Sequence, residues 1–307
     1  MAKYAYLGPQ GTFTELALEG ITSTSDERIP FANVTATLDA VRGGQVQFAL
    51  VPIENSVEGV VARTLDELAI GEPLVIVAET TIKVNFALVG KGKDLDSSTI
   101  KRIATHPHAE SQCRNYIAKN FPHAEIVPVA STATAAEAVS RGEYDAAITS
   151  INAAARYDLH ILESEIGDNS AAETRFVLVS RPGSIPPRSG YDRTSLVAFI
   201  GADHAGALLE VLTEFSVRGV NLTFIQSRPT GAGLGDYHFI IDAEGHINDE
   251  RVGEALMGLR RICADVRFLG SYPRADKVAP TTNRSAHDEN FIEASAWLAE
   301  VRSGRKI

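Results

Sequence analysis

The chain has 307 residues, enough for two or three domains with sizeable buried cores. Its formal net charge of −10 argues against a general nucleic-acid binder, which needs a basic surface, but not against a small anionic ligand in a locally favourable cleft. No apolar run approaches a membrane span, and the chain starts without a basic and apolar leader, so we expect a cytoplasmic protein. Cys113 and Cys263, the only cysteines, lack metal-type spacing and fit a reducing compartment.

The first predicted element is a short strand at Lys3–Leu7, followed by a glycine turn that reads Gly8-Pro9-Gln10-Gly11. Thr12 and Glu15 have the spacing of a capping box, so we expect a helix to begin there. A strand, a tight turn and a helix N-terminus together direct backbone N–H groups to one point, which favours an anion. An ordinary strand-to-helix connection is the alternative interpretation.

Alternating strand-like and helix-like segments continue to about residue 180 and indicate an α/β protein. Phe48–Ile53 is an apolar run suited to a buried parallel strand, and Leu74–Val77 and Phe86–Val89 are similar. One pattern occurs twice, from Thr35 and from Thr132: a threonine-capped helix and a glycine stop precede a buried strand. We therefore predict two similar α/β lobes around a ligand cleft, with chance similarity of two alanine-rich helices as the alternative.

Residues 182–190 contain three prolines and two glycines without periodicity, which is typical of a linker between domains. Beyond it, strand-like and helix-like segments follow in the order βαββαβ, which predicts a four-stranded antiparallel sheet with two helices on one face. The segments are Ser195–Ile200, His204–Val217, Leu222–Ser227, Tyr237–Ile241, Val252–Leu259 and Val266–Leu269, with a glycine-rich turn at Pro229–Gly235. Because such a sheet leaves its other face or its edge open, we expect dimerisation.

The last segment begins polar and then places apolar side chains at helical spacing. These side chains are Phe291, Ala294, Trp297, Leu298 and Val301. We expect a tail helix docked on a neighbouring surface rather than a disordered tail.

Several short polar stretches stand where an α/β sheet binds ligands, at strand ends and helix starts. Asn55 and Ser56 follow the buried strand at residues 48–53, and Ser131 and Thr132 start the second repeated helix. Helix capping alone explains each pair equally well. Thr174-Arg175-Phe176 precedes another strand, where Arg175 either clamps a carboxylate or lies at a solvated edge.

No stretch of the sequence indicates a binding site for a metal, a nucleotide or a flavin. His106 and His108 lack further ligands at metal-type spacing, so we interpret His106 as a loop residue near the cleft. No glycine-rich phosphate loop occurs at a strand-to-helix junction. We therefore expect no cofactor.

Taken together, these stretches resemble prephenate dehydratases in order and spacing over residues 3–272. The shared motifs are Gly8-Pro9-Gln10-Gly11-Thr12-Phe13, Pro52-Ile53-Glu54-Asn55-Ser56, His106-Pro107, Ser131-Thr132-Ala133 and Thr174-Arg175-Phe176. The second domain resembles an ACT regulatory domain, with phenylalanine-responsive motifs at Gly206-Ala207-Leu208-Leu209 and Ser227-Arg228-Pro229.

The resemblance implies a two-lobed α/β catalytic domain, similar to bilobal type II solute-binding proteins, and a ferredoxin-like βαββαβ ACT domain. The implied domains are catalytic at 1–181 with a second lobe near 81–155, a linker at 182–192, the ACT domain at 193–272 and a tail at 273–307. The implied activity converts prephenate to phenylpyruvate with loss of water and carbon dioxide, in L-phenylalanine biosynthesis. L-phenylalanine would inhibit it by binding between subunits of a dimer or tetramer.

The resemblance also assigns roles to residues. Thr174 matches the family's essential threonine. Substrate contacts are expected from Gln10, Thr12, Asn55, Ser56, Ser131, Thr132, Arg175 and Phe176. Effector contacts are expected from Gly206, Ala207, Leu208, Leu209, Asn221, Leu222, Gln226, Ser227 and Arg228.

Three residues depart from the family pattern. Gln226 stands where glutamate usually precedes Ser-Arg-Pro, which leaves the details of the effector response open. Ala172 stands where asparagine is frequent, so Asp168 or Asn169 is expected to supply the polar group. His108 stands where glutamine is common.

Two rival functions fit the same sequence. One is a dehydratase for arogenate, the amino analogue of prephenate, which differs by one functional group. The other is a non-catalytic amino-acid sensor, against which the intact Thr174-Arg175-Phe176 argues.

Overall fold

The computed structural model describes residues 1–93, 95–201, 204–230 and 237–305, and contacts divide the chain into two compact units. The first unit comprises Met1–Thr64 and Thr80–Leu178, and the second comprises Leu65–Glu79 and Val179–Ile307. The linker at 182–192 and the domain bounds around it stay predictions. Residues 65–79 make most of their contacts with the later part of the chain and therefore belong to the second unit. Across these described ranges, no helix combines the length and apolar character needed to cross a membrane.

The chain up to residue 180 alternates between strands and helices, as its sequence predicts. In chain order the elements are β1 (Lys3–Leu7), α1 (Phe13–Glu19), β2 (Glu27–Phe31), α2 (Val34–Arg42), β3 (Phe48–Asn55), β4 (Gly59–Val60), α3 (Ala62–Ile70), β5 (Val75–Lys83), β6 (Ala87–Gly90), β7 (Arg102–Thr105), α4 (Pro107–Gln112), α5 (Arg114–Asn120), β8 (Glu125–Pro128), α6 (Thr132–Arg141), β9 (Ala146–Thr149), α7 (Ile151–Arg156), β10 (His160–Glu163) and β11 (Glu173–Ser180).

Two sheets form the two predicted lobes. The first has the strand order β2-β1-β3-β11-β5, with β4 beside β3, and β1 runs parallel to both β2 and β3. The second has the order β10-β6-β9-β7-β8. The two-lobed α/β architecture is therefore confirmed.

The strand β6 pairs antiparallel with both β9 and β10, although its apolar run resembles that of the parallel strand β3. All four residues of β6 are buried. A short apolar run indicates burial on both faces of a sheet, but it does not specify the direction of the neighbouring strands.

The repeated helices α2 and α6 are capped by Asn33 and Ser131, so the prediction of threonine caps is wrong. Asn33 accepts a hydrogen bond from the N–H of Ala36, and Ser131 accepts one from the N–H of Thr134. Each helix begins directly after its cap residue, whose extended backbone lets the side-chain oxygen reach the first turn.

The later part of the chain has the predicted order of βαββαβ. Its elements are β12 (Asp192–Phe199), α8 (Ala207–Ser216), β13 (Leu222–Pro229), β14 (Tyr237–Glu244), α9 (Glu250–Ile262), β15 (Asp265–Pro273) and α10 (Asp288–Arg302). The sheet order is β13-β14-β12-β15 and every pairing is antiparallel. The turn predicted at Pro229–Gly235 lies mostly outside the described residues.

Both faces of this sheet are covered within the second unit. One face packs on α8 and α9 through a core that includes Leu196, Phe215, Ile241 and Leu259. On the other face, residues 65–79 lie against the sheet. Arg228 forms a two-pronged ion pair with Asp66, Arg267 donates to the carbonyls of Leu68 and Gly71, and Arg193 donates to Glu79. The sheet has two edge strands, β13 and β15, and an edge is where a further strand could pair.

The tail forms the predicted helix, α10, but most of its apolar side chains are exposed and Phe291 is half-buried. Asp288 at its start accepts from the N–H of Glu250 at 3.0 Å and pairs with Arg188. Ile292 and Trp297 are 56% and 53% exposed. The helix therefore docks by polar contacts at its N-terminus, because none of its residues is buried.

Candidate functional site

A cavity of about 600 Å³ in the first unit is lined by residues from both lobes. The first lobe contributes polar and aromatic side chains that include Thr12, Phe13, Asn55, Glu58, Thr174 and Phe176. The second lobe contributes side chains that include Phe86, His106, His108, Gln112, Ser131 and Thr132. The cavity is thus the predicted cleft between the lobes.

The side chains of Asn55 and Thr174, far apart in sequence, meet on the wall of this cleft. The amide Nδ2 of Asn55 donates to Oγ1 of Thr174 at 2.8 Å. The other end of the amide, Oδ1, accepts from the backbone N–H groups of Val57 and Glu58, each at 2.9 Å. Because two backbone donors fix Oδ1, the amide can present only its nitrogen to Thr174.

This arrangement sets the direction of the threonine proton. The hydroxyl of Thr174 accepts from Asn55, so its own proton is left to donate to another acceptor. Thr174 is 9% exposed and lines the cavity. A ligand oxygen in the cleft is within the reach of such a donor.

The opening turn places Thr12 on the cleft wall, and its hydroxyl is already engaged in local structure. It donates to the carbonyl of Leu7 at 3.2 Å and accepts from the N–H of Glu15 at 3.4 Å. The carboxylate of Glu15 accepts from the N–H of Gly11 and from the hydroxyl of Tyr6. The capping prediction is confirmed, and Glu15 takes one of the N–H groups that an anion would otherwise bind.

The N-terminus of α6 reaches the cleft from the second lobe. Ser131 accepts from the N–H of Thr134 at 3.0 Å, and its hydroxyl lies 2.8 Å from that of Thr134. Ser131 and Thr132 both line the cavity. Ser131 therefore both caps α6 and lines the cleft.

Three of the residues expected to contact substrate are outside the described lining of the cavity. Arg175 lies on β11 between the lining residues Thr174 and Phe176, and its guanidinium is 3.5 Å from Glu54 on β3. The carbonyl of Gln10 accepts from Tyr157 at 3.2 Å, and the hydroxyl of Ser56 accepts from the N–H of Glu173 at 2.9 Å. Arg175 and Ser56 therefore use their side chains within the first lobe, and Gln10 makes its contact with the second lobe through its backbone.

The residues proposed to replace the frequent asparagine at position 172 have other partners. Asp168 accepts from the N–H of Asn115 at 3.1 Å, and Asn169 accepts from the N–H of Ala171 at 3.0 Å. Ala172 itself is buried. Asn55 supplies a side-chain hydrogen bond to Thr174 instead.

Ionisable side chains are few on the described cavity wall: Glu58, His106 and His108. Burial lowers the pKa of His106, and the neighbouring His108 adds to this effect while Glu58 opposes it. Nδ1 of His106 accepts from the N–H of His108 at 3.2 Å, so in its neutral form this imidazole presents Nε2–H. The described residues include no group of three or more side chains that could hold a metal ion.

Sequence reasoning missed Glu58 and Gln112, which face each other across the cleft. Oε1 of Glu58 is 3.2 Å from Nε2 of Gln112 and 3.0 Å from the hydroxyl of Ser111. Glu58 stands in the stretch Asn55–Gly59, in which the sequence analysis singled out Asn55 and Ser56. No local pattern signals a partner 54 residues away.

The second unit contains a separate pocket of about 260 Å³ at the start of α8. Five of the residues expected to bind the effector line it: Gly206, Ala207, Leu208, Leu209 and Ser227. The other four, Asn221, Leu222, Gln226 and Arg228, are outside its described lining. Gln226 donates to the carbonyl of Ser227 at 3.0 Å.

Comparison with known proteins gives consistent matches over the whole chain. The family described as prephenate dehydratase matches residues 4–184, and the ACT domain family matches residues 195–261. A prephenate dehydratase of Amycolatopsis methanolica is 46% identical over 307 residues, covering 100% of both chains.

Solved structures are similar over most of their length. A prephenate dehydratase from Arthrobacter aurescens in complex with L-Phe has a TM-score of 0.92 and 46% identity, covering 98% of this chain and 99% of that one. A structure described as GqqA, a novel type of quorum quenching acylase, has a TM-score of 0.77 and 30% identity, covering 88% and 97%.

Proposed function

Because this chain belongs to the prephenate dehydratase family and carries an ACT domain, we propose that its cleft converts prephenate to phenylpyruvate with loss of water and carbon dioxide. The observation that supports this site most directly is the pair of Asn55 and Thr174 on the cleft wall. Phenylpyruvate is a precursor of L-phenylalanine, so the reaction serves biosynthesis of that amino acid.

The chemistry of prephenate explains why such a simple site is sufficient. Prephenate carries two carboxylates and a ring hydroxyl at a doubly allylic carbon, and loss of hydroxide and carbon dioxide leaves an aromatic ring. Product stability favours the reaction, so the protein's task is to orient the substrate and assist the leaving oxygen. No cofactor is required for these steps.

Thr174 is the residue that we assign to the leaving oxygen. Asn55 directs the threonine proton away from itself, and the departing hydroxyl is the acceptor that we propose. A threonine hydroxyl is a weak acid, so Thr174 acts by donating a hydrogen bond to the departing hydroxyl and keeps its own proton. Acid assistance of this kind contributes about 10²–10⁴-fold to a rate.

The remaining substrate contacts come from neutral groups on both lobes. Thr12, Asn55, Ser131 and Thr132 line the cavity, as does the ring of Phe176. Neutral donors that are fixed in a partly dry cleft stabilise developing charge without reorganisation. Gln10, Ser56 and Arg175 have less support as direct contacts, since they lie outside the described cavity lining and contact other protein groups.

We also propose feedback control by L-phenylalanine at the pocket beside Gly206–Leu209 and Ser227. Support comes from the L-Phe complex of the Arthrobacter aurescens relative and from the ACT domain of this chain. Homo-oligomerisation through the edge strand β13 fits the sheet order. A cytoplasmic location fits the two free cysteines, Cys113 and Cys263.

One assay tests this function: the full chain is incubated with prephenate, and phenylpyruvate is followed by its ultraviolet absorbance with and without L-phenylalanine. We expect turnover that L-phenylalanine reduces. A parallel incubation with arogenate measures the turnover of the rival substrate, for comparison with that of prephenate. Absence of turnover on prephenate would overturn the proposal, and binding of amino acids without turnover of either substrate would favour the sensor.

A further inference from the structure

A continuous run of hydrogen bonds joins the second lobe to the threonine on the first lobe. It starts at Gln112 and Ser111 on α4, which lie 3.2 and 3.0 Å from Oε1 of Glu58. The backbone N–H of Glu58 donates to Oδ1 of Asn55 at 2.9 Å. Nδ2 of Asn55 donates to Oγ1 of Thr174 at 2.8 Å.

We propose that Glu58 is a positioning residue that couples contact between the lobes to the orientation of the Thr174 hydroxyl. The inference rests on the proposed function of the cleft. When α4 binds the Glu58 carboxylate, the loop that carries residues 57 and 58 is held from both sides: by its side chain across the cleft and by its N–H groups on Asn55. Asn55 in turn keeps the threonine proton directed at the substrate.

The strength of this contact favours a measurable effect. Gln112 is buried and lines the cavity, whereas Glu58 is exposed, so the hydrogen bond between them is partly shielded from water. The hydroxyl of Ser111 also lies 2.9 Å from the carbonyl of His108, and its single proton serves one acceptor at a time. The Gln112 contact is therefore the principal link, because its amide N–H is directed to the carboxylate while the single proton of Ser111 is divided between two acceptors.

Glu58 acts in this account only through Asn55 and Thr174, which distinguishes it from a substrate-binding residue. A binding residue changes KM, whereas a residue that orients the acid in the closed complex changes kcat. Residues that act through one another also have non-additive effects on the rate. Both features are measurable in the intact protein.

The test is steady-state kinetics of the full chain on prephenate with Glu58→Ala, Glu58→Gln, Thr174→Val and the double variant Glu58→Ala/Thr174→Val. Glu58→Ala is expected to lower kcat by about tenfold to a hundredfold with KM changed less than about threefold, the range expected for loss of hydrogen bonds to a charged group. Glu58→Gln keeps an acceptor oxygen and should stay within about threefold of the unmodified chain. The double variant should be no slower than Thr174→Val alone.

Glu110→Ala is the matched control, because Glu110 is the neighbouring acidic residue on α4 and is absent from the described cavity lining. Thermal unfolding shows whether each variant is folded. If Glu58→Ala does not fold, Gln112→Leu combined with Glu58→Gln replaces it: a lower kcat in that pair than in Glu58→Gln supports the link, and an equal kcat overturns it.

Several results would overturn the inference. Unchanged kcat in folded Glu58→Ala, a rise in KM alone, or additive losses in the double variant would each place Glu58 outside the path to Thr174. Lack of prephenate turnover by the unmodified chain would defeat the proposed function instead, so the two failures are distinguishable.

Discussion

At the scale of single residues, a fixed asparagine partner distinguishes Thr174 from Thr12 and Ser131 on the cleft wall. Thr12 donates to a backbone carbonyl, and Ser131 caps a helix. Thr174 instead accepts from Asn55, whose orientation two backbone N–H groups determine. An asparagine with a single partner would leave the direction of the threonine proton open.

Thr174→Val should lower kcat on prephenate by about 10²–10⁴-fold, the range expected for loss of acid assistance. The substitution keeps the shape of the side chain and removes its hydroxyl, so KM should change much less. Steady-state kinetics measures both constants. Thr81→Val on β5, exposed and outside the described cavity lining, is the control, and near-normal kcat in Thr174→Val would contradict the assignment.

At the scale of elements, strand β14 buries a histidine under the segment 65–79. His238 is 0% exposed, and among the described residues neither ring nitrogen has a hydrogen-bond partner. Burial lowers the pKa of His238 most, Arg228 and Arg267 lower it further, and Asp66 opposes them. Its ring lies beside that of Phe199, with centroids 5.3 Å apart. The folded chain therefore holds this imidazole neutral.

A neutral buried histidine makes stability depend on pH in a defined direction. In the unfolded chain the imidazole gains a proton near its ordinary pKa of about 6.5, while the folded chain resists protonation to lower pH. The unfolded state then binds more protons. The contribution of His238 to stability is therefore present above about pH 6.5 and is lost as the pH falls through the lowered pKa of the folded state.

His238→Phe should reduce the loss of unfolding free energy between pH 7 and pH 5, compared with the unmodified chain. Denaturant unfolding at several pH values measures this difference. His123→Gln, an exposed histidine, is the control and should keep the original pH dependence. Equal slopes for the His238 variant and the unmodified chain would refute this account.

At the scale of the whole molecule, the division into compact units does not follow the order of segments along the chain. Residues 65–79 follow the motif that contains Asn55, yet they pack on the ACT sheet within the second unit. Arg228 of the predicted effector motif holds Asp66 there, and its neighbour Ser227 lines the effector pocket.

Ser227→Leu should weaken inhibition by L-phenylalanine, because the larger side chain occupies part of the pocket. Ser227 is exposed, so the cost to folding is small. The measurement is the concentration of L-phenylalanine that halves each variant's own uninhibited rate, and we expect a rise of about tenfold, the effect of about 1.4 kcal/mol of lost affinity.

The control for this substitution is Thr223→Leu, an exposed position on the same strand that is absent from the described pocket lining. It should leave inhibition unchanged. An unaltered response in Ser227→Leu would place the effector elsewhere.

The local pattern of the sequence determined the helices and strands and the distribution of apolar and polar residues within them. The periodicity of apolar side chains predicted the two lobes and the βαββαβ domain, because hydrophobic patterning and turn residues act over a few positions along the chain. Motif resemblance identified Thr174 and Asn55, although not their contact. The caps at Asn33 and Ser131 show the limit even at short range, where one residue decides which side chain reaches the first turn.

Only the tertiary structure determined which residues of distant segments come into contact. The contact of Glu58 with Gln112, the 119-residue separation of Asn55 and Thr174, and the position of residues 65–79 on the ACT sheet depend on packing between distant segments. Side-chain direction decided the rest, since alternation along β11 puts Thr174 and Phe176 on the cleft wall and Arg175 beside Glu54. Such contacts carry no local signal, because their free energy is gained only when the chain is folded.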